Sequence, residues 1–156
     1  MLDLKRFKII NNSIGISIID LSLSSRSEDF QNLDKNYCEM LKRNIINFID
    51  KGKKVYLFSF CEYEGDLCEI KRIVDLLPES YKTKVHIVQY NGKEYNLYDF
   101  VKKYSVMEKM ICTRFHSLVL SLLFRQDFIV VSYSEKLEKL LCDILQEFKY
   151  VDIDKK

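Results

Sequence analysis

The sequence predicts an α/β domain in which a five-stranded parallel sheet is covered by helices on both faces. Short β-branched apolar runs alternate five times with stretches in which apolar residues recur at helical spacing. The short runs are apolar nearly throughout, as is typical of strands that are buried on both sides. The chain of 156 residues is long enough for one such domain with a sizeable core. Because each strand is followed by a helix, we expect right-handed crossovers and a Rossmann-like three-layer sandwich.

The predicted elements lie between a polar arm or linker at residues 1–13 and a polar tail at residues 151–156, so that the domain spans residues 14–150. The strands are predicted at residues 14–21, 55–60, 85–90, 110–113 and 128–133, and the helices at residues 34–50, 66–77, 97–104, 116–124 and 137–149.

Local signals set the helix boundaries. Asp34 is expected to cap the first helix, and Gly52 is expected to end it. The run from Asp66 to Glu69 has the spacing of a capping box at the start of the second helix, which Pro78 ends.

Composition excludes several classes of protein. The apolar content of 47%, the charged content of 31% and the net charge of +2 are typical of a soluble globular protein and give no case for a nucleic-acid partner. No apolar run approaches the roughly 18 residues of a membrane span, and the amino end lacks the pattern of a signal peptide. Five cysteines without a Cys-x-x-Cys pair, and only two histidines, argue against a zinc site or a disulfide framework. We therefore expect no metal and no cofactor, and a reducing cytoplasmic location.

The loops after the strands are expected to share one edge of the sheet, where ligands of such folds bind near the point at which strand order reverses. These loops comprise residues 22–32, 61–65, 91–96, 114–117 and 134–136. The sequence has neither Gly-x-Gly-x-x-Gly nor a Walker loop, which disfavours dinucleotide and P-loop sites.

The strongest site candidate lies where the fourth strand meets its helix. Arg114 and His116 follow the apolar strand directly, and an apolar helix begins near His116. The free backbone N–H groups of a helix start favour an anion. A guanidinium supplies a planar fork of donors for carboxylate or phosphate, and an imidazole exchanges a proton near neutral pH. The pattern predicts an anionic ligand at this point.

These residues also resemble a known family. Arg114-Phe-His-Ser117, followed one helix and one strand later by Tyr133-Ser-Glu-Lys136, is similar to the Gly-x-Arg-Leu-His-Ser/Ala and Tyr-Asp-Pro-Lys motifs of polysaccharide pyruvyl transferases. The strand at 14–17 resembles the opening of the second half of such enzymes. Cys112 replaces the usual glycine, and Ser-Glu replaces Asp-Pro, which indicates a divergent member or a different donor.

The resemblance implies one half of a GT-B-like enzyme, namely the C-terminal, donor-binding half. The partners would be phosphoenolpyruvate or another anionic donor, and a sugar acceptor held by a missing N-terminal domain. Pyruvate would pass to a sugar of a cell-surface polysaccharide, and the isolated half would be inactive. Two alternatives stay open: half of a glycosyltransferase-like enzyme with a nucleotide-sugar donor, and a non-catalytic Rossmann-like binding module.

Catalytic roles are expected for Arg114 and His116. Arg114 would bind the carboxylate or phosphate of the donor; the alternative is a surface arginine that pairs with an acid such as Glu108. His116 would protonate the enol carbon or hold the departing phosphate; the alternative is a capping or core histidine.

Four further residues are expected to contact the donor. Ser117 would donate its hydroxyl, Lys136 would supply a point charge, and Tyr133 would pack against the ligand. Arg26, in the first loop, is a second anion-binding candidate. For Lys136 and Arg26 the alternative is a solvated side chain, and for Tyr133 it is simply the end of a strand.

Overall fold

The structure is a computed structural model, and its described part comprises residues 7–22, 28–132, 139, 142 and 150–152. The six strands, all parallel to their neighbours, are β1 (Ile10–Ser17), β2 (Lys54–Ser59), β3 (Val85–Gln89), β4 (Met107–Cys112), β5 (Asp127–Ser132) and β6 (Tyr150–Asp152). The helices are α1 (Glu28–Asp50), α2 (Asp66–Asp75), α3 (Glu79–Lys82), α4 (Glu94–Ser105) and α5 (Phe115–Leu123), with a 3-10 turn at Glu62–Glu64.

The predicted fold class is confirmed. All five predicted strands are present and parallel, in the sheet order β3-β2-β1-β4-β5-β6. The short strand β6 was not predicted; it pairs with β5 through residues assigned to the domain end and the polar tail. Three residues are too few to produce a recognisable pattern. The helix predicted at residues 137–149 lies outside the described residues, except for Lys139 and Cys142, which are helical.

The amino end of β1 lies in the segment that was predicted as an arm. Ile10 pairs with Met107, but Ile14 pairs with Lys109, so a bulge separates the two pairs. Asn12 takes a left-handed conformation there, with φ of 59°, and its N–H donates to Glu108 at 2.9 Å. This segment was predicted as an arm because the residues at the bulge are polar, and polar residues do not give the apolar pattern of a buried strand.

The α1 helix begins earlier than predicted. Asp34 is not its cap; it lies inside the helix, is buried, and pairs with Arg72. Gly52 ends the helix as predicted, with φ of 76° and its N–H donating to the carbonyl of Ile49 at 3.0 Å. The α2 helix starts at Asp66, but the capping box is wrong, because Gly65 is the N-cap and no side chain caps the helix.

Two apolar cores cover the two faces of the sheet. Val55 and Leu57 of β2 pack into the core that contains α1 and α2 residues. Tyr56 and Phe58, which alternate with them, pack into the core that contains α4 and α5 residues. This alternation buries β2 on both sides and explains its continuously apolar sequence.

Among the described residues, no helix combines the length and the apolar character needed to cross a membrane.

Candidate functional site

The order of the strands reverses between β1 and β4, which are neighbours at the centre of the sheet. From β1 the chain proceeds outward to β2 and β3, and then returns to the other side of β1 as β4. In open parallel sheets, ligands bind outside the carboxyl ends of the strands at such a switch point. Arg114 lies two residues beyond the end of β4, and therefore at this point.

The carboxyl ends of β1 and β4 are joined by side chains as well as by the sheet. The Thr113 N–H donates to Ser17 Oγ at 2.8 Å, and Thr113 Oγ1 donates to the Ser17 carbonyl at 2.6 Å. Both side chains are fully buried. These bonds hold the backbone that precedes Arg114 in a defined position.

The Arg114 side chain crosses from β4 to the loop after β2. Its Nη2 donates to Asp66 Oδ1 at 2.5 Å and pairs with Glu64 Oε2 at 2.7 Å, while only 11% of the side chain is exposed. Nε is buried and has no hydrogen-bond partner among the described residues. The alternative that Arg114 pairs with Glu108 is wrong. Glu108 lies near the start of β4, whereas Arg114 follows its end, and Glu108 accepts the N–H of Asn12.

Asp66 connects the ends of β2 and β4. Its second carboxylate oxygen, Oδ2, accepts the N–H groups of Phe60 and Cys61 at 3.1 and 3.0 Å, and the residue is fully buried. Burial raises the pKa of Asp66 above its ordinary value, although the hydrogen bond and charge of Arg114 act in the opposite direction. The sequence indicated only a capping role for Asp66, because its partner Arg114 is 48 residues away and the pairing leaves no local pattern.

The guanidinium of Arg114 keeps its charge in this buried position. Burial alone would lower the pKa of Arg114, but the hydrogen bonds and charges of Asp66 and Glu64 outweigh it and raise the pKa.

A third loop meets the other two at Gly65. Gly65 has φ of 80°, and a Cβ at this position would lie 2.9 Å from Asp20 Oδ2. Asp20 follows β1, and its Oδ1 accepts the N–H of Ser22 at 2.8 Å. The loops after β1, β2 and β4 thus converge on the surroundings of Arg114.

His116 lies on the first turn of α5, and its side chain is exposed. Its ring meets that of Phe115 edge to face, with 5.9 Å between the centroids. The two predicted catalytic side chains therefore differ in environment: that of Arg114 is buried and ion-paired, and that of His116 is open to solvent.

A comparison with family models now adds to this geometry. The model described as polysaccharide pyruvyl transferase matches residues 7–135. The chain belongs to the polysaccharide pyruvyl transferase family. The match runs from before β1 to beyond β5 and includes Arg114, His116 and Asp66. No curated protein and no solved structure matches the chain significantly.

Ser117 lies inside the pyruvyl transferase domain and not at its surface. The residue is fully buried, and its Oγ is 2.7 Å from the hydroxyl of Tyr104. Its predicted contact with the donor would require the side chain to leave this internal partner. The contact of Ser117 with the donor stays a prediction.

Arg26, Tyr133 and Lys136 lie outside the described residues. Their contacts with the donor stay predictions. The family match ends at residue 135, directly before Lys136.

A second polar cluster lies between α1 and α2. Asp34, Cys38 and Glu69 bring three possible metal-ligand atoms within 4.8 Å of one another. However, Arg72 Nη2 contacts all three, at 2.7 Å from each carboxylate and 3.1 Å from Cys38 Sγ. The guanidinium already supplies the positive charge that a metal would bring, so the cluster joins two helices.

Proposed function

We propose that this chain binds phosphoenolpyruvate at the switch point of its sheet, as the donor-binding part of a polysaccharide pyruvyl transferase. The observation that carries the proposal is the buried guanidinium of Arg114, held by Asp66 at the carboxyl ends of the central strands. Burying a charge is costly unless it is paired. A cation that is positioned in this way suits recognition of a carboxylate or phosphate.

The start of α5 adds a second contribution. Arg114 is the N-cap residue in extended conformation, so the first N–H groups of the helix have no partner within it. These groups and the helix dipole favour negative charge beside the guanidinium. Both features suit a ligand with two anionic groups, as phosphoenolpyruvate has.

The proposed reaction forms a pyruvate ketal. Two hydroxyl oxygens of the sugar bond to C2 of phosphoenolpyruvate, and the bond between C2 and the phosphate oxygen breaks. One hydroxyl proton reaches C3, which becomes a methyl group, and the other leaves with inorganic phosphate. We assign His116 either to the transfer of the proton to C3 or to the leaving phosphate, because its exposed ring on the first turn of α5 is open to a ligand.

The acceptor belongs to the same proposal. We infer that an N-terminal domain holds a sugar of a cell-surface polysaccharide, so the isolated chain binds the donor without turnover. We place the reaction in the cytoplasm, a reducing compartment that suits the free thiols of the chain.

Calorimetry with phosphoenolpyruvate tests this function directly. The wild-type chain should release or absorb heat at millimolar ligand. Arg114→Ala should weaken binding at least about tenfold, the size of a charge-assisted hydrogen bond. Arg43→Ala, which removes an exposed arginine from α1, should bind like the wild type. Absence of heat, or tighter binding of a nucleotide sugar, would contradict the proposal and favour the alternatives.

A further inference from the structure

The guanidinium of Arg114 is paired with two carboxylates that differ in their surroundings. Asp66 is fully buried, and its Oδ2 is bound to the backbone of Phe60 and Cys61. The side chain of Glu64 is 47% exposed, and its Oε2 pairs with Nη2 of the guanidinium at 2.7 Å. One acid is part of the interior, and the other covers the guanidinium from the solvent side.

Two carboxylates already pair with the guanidinium of Arg114, so a further anion at this point competes with them. One positive charge faces two negative charges, so the group of Arg114, Asp66 and Glu64 carries a net charge of −1. An anionic ligand that approached Arg114 would be repelled as long as both carboxylates stayed in place. Asp66 cannot leave without breaking two buried backbone hydrogen bonds. The Glu64 carboxylate, whose side chain is about half exposed, lies on the solvent side of the pair.

We propose that Glu64 is a resident counter-ion of Arg114, which an anionic ligand must displace, and that it thereby sets the affinity of the site. The inference rests on the proposed function, since it describes how the donor's anionic group gains access to Arg114. The ligand oxygen takes the place of the Glu64 carboxylate, while the pair of Arg114 and Asp66 stays intact.

The backbone that links Glu64 to Asp66 suits a displacement of Glu64 alone. Glu64 ends a single 3-10 turn, and Gly65 follows it with φ of 80°. A glycine allows large changes of backbone angle at little cost. Glu64 can therefore move while Asp66, at the first position of α2, stays fixed.

The test compares Glu64→Gln with Glu62→Gln by calorimetry, using inorganic phosphate and phosphoenolpyruvate as probes. Both changes remove one negative charge from the same turn, but Glu62 has an exposed side chain. Glu64→Gln should bind both anions about twofold to fivefold more tightly than the wild type, the range that the energy of a partly exposed ion pair implies. Glu62→Gln should leave both dissociation constants unchanged.

The outcomes separate this inference from the proposed function. If Glu64→Gln binds phosphate no more tightly than the wild type or Glu62→Gln, Glu64 is not a displaced counter-ion, and the donor proposal stands on its own titration. If the gain appears with phosphate but phosphoenolpyruvate binds no better than phosphate, the inference holds and the assigned donor is wrong. If neither anion binds any variant, both proposals fail.

Discussion

Asp66 is the residue on which the position of Arg114 depends. Asp66→Asn removes the charge that offsets the buried guanidinium, so we expect phosphoenolpyruvate binding to weaken at least about tenfold and the free energy of unfolding to fall by about 1–3 kcal/mol. Calorimetry and urea unfolding measure the two effects. Asp75→Asn, an exposed change at the end of the same helix, is the control.

A double variant separates positioning from general loss of stability. If Asp66 acts through Arg114, adding Asp66→Asn to Arg114→Ala should change binding far less than it does in the wild type. Additive losses would show that Asp66 affects the site by another route.

Gly65 is required for both its backbone angle and its lack of a side chain. Gly65→Ala places a Cβ in the left-handed region and 2.9 Å from Asp20 Oδ2, so the carboxylate must shift. Gly92→Ala has a similar φ of 76° but no atom within 4 Å, so it measures the backbone strain alone. We expect Gly92→Ala to cost about 1 kcal/mol in urea unfolding and Gly65→Ala to cost more. Equal costs would mean that the carboxylate of Asp20 moves freely.

Sequence reasoning located Arg114 but not its partners. A basic residue directly after an apolar strand and before an apolar helix marks a strand end, and this signal is local. The pairing with Asp66 joins segments 48 residues apart, and in the sequence Asp66 shows only a helix-start pattern. The sequence indicated this pairing only in that Asp66 follows β2 closely, on the edge of the sheet where the loops meet.

At the scale of elements, the hydroxyl of Tyr104 joins α4 to α5. It lies 2.7 Å from both the Ser117 carbonyl and the Ser117 hydroxyl, and 2.8 Å from Ser121 Oγ, in a fully buried position. Tyr104→Phe would leave buried serine groups without this partner, so we expect a loss of about 1–3 kcal/mol in unfolding free energy. Tyr81→Phe removes an exposed bond to Asp50, where water can substitute, and should cost much less. Similar losses in both variants would contradict a special role for the buried hydroxyl.

Elements with a clear period were predicted well, and the errors have physical causes. Four of the described helices and the five strands with apolar patterns appear at the predicted places, with ends that shift by a few residues, whereas the four-residue helix α3 was not predicted. The α1 helix begins at Glu28, and Asp34 lies inside it, where it pairs with Arg72 on another helix; a local cap pattern cannot reveal such a pair. The amino end of β1 was missed because its bulge is made by polar residues.

At the scale of the molecule, alternation of strands and helices predicts a parallel sheet but not the order of its strands. That order depends on which crossovers pack together, and it places β1 beside β4 through contacts about 95 residues apart, such as those of Ser17 and Thr113. The sequence predicted a ligand site where the strand order reverses, but it did not show between which strands this reversal lies. Only the fold shows that this point coincides with Arg114.

The stability of the whole molecule should fall in alkaline solution, because several acidic side chains are buried in protonated form. Burial raises the pKa of Cys38 and Cys112 above the ordinary 9.0, and that of Tyr37 and Tyr104 above 10.0. As the pH rises past 9.0, the unfolded chain releases its thiol protons while the folded chain keeps them, so the unfolding free energy decreases with pH. Each buried thiol should cost at most about 1.4 kcal/mol at one pH unit above its ordinary value, the limit for a thiol that stays fully protonated in the folded chain. Urea unfolding at pH 8 and pH 10 measures the loss, and Cys112→Ser should reduce it. Cys68→Ser, which alters an exposed thiol, should leave the difference between the two pH values unchanged, and a loss that is independent of Cys112 would contradict this origin.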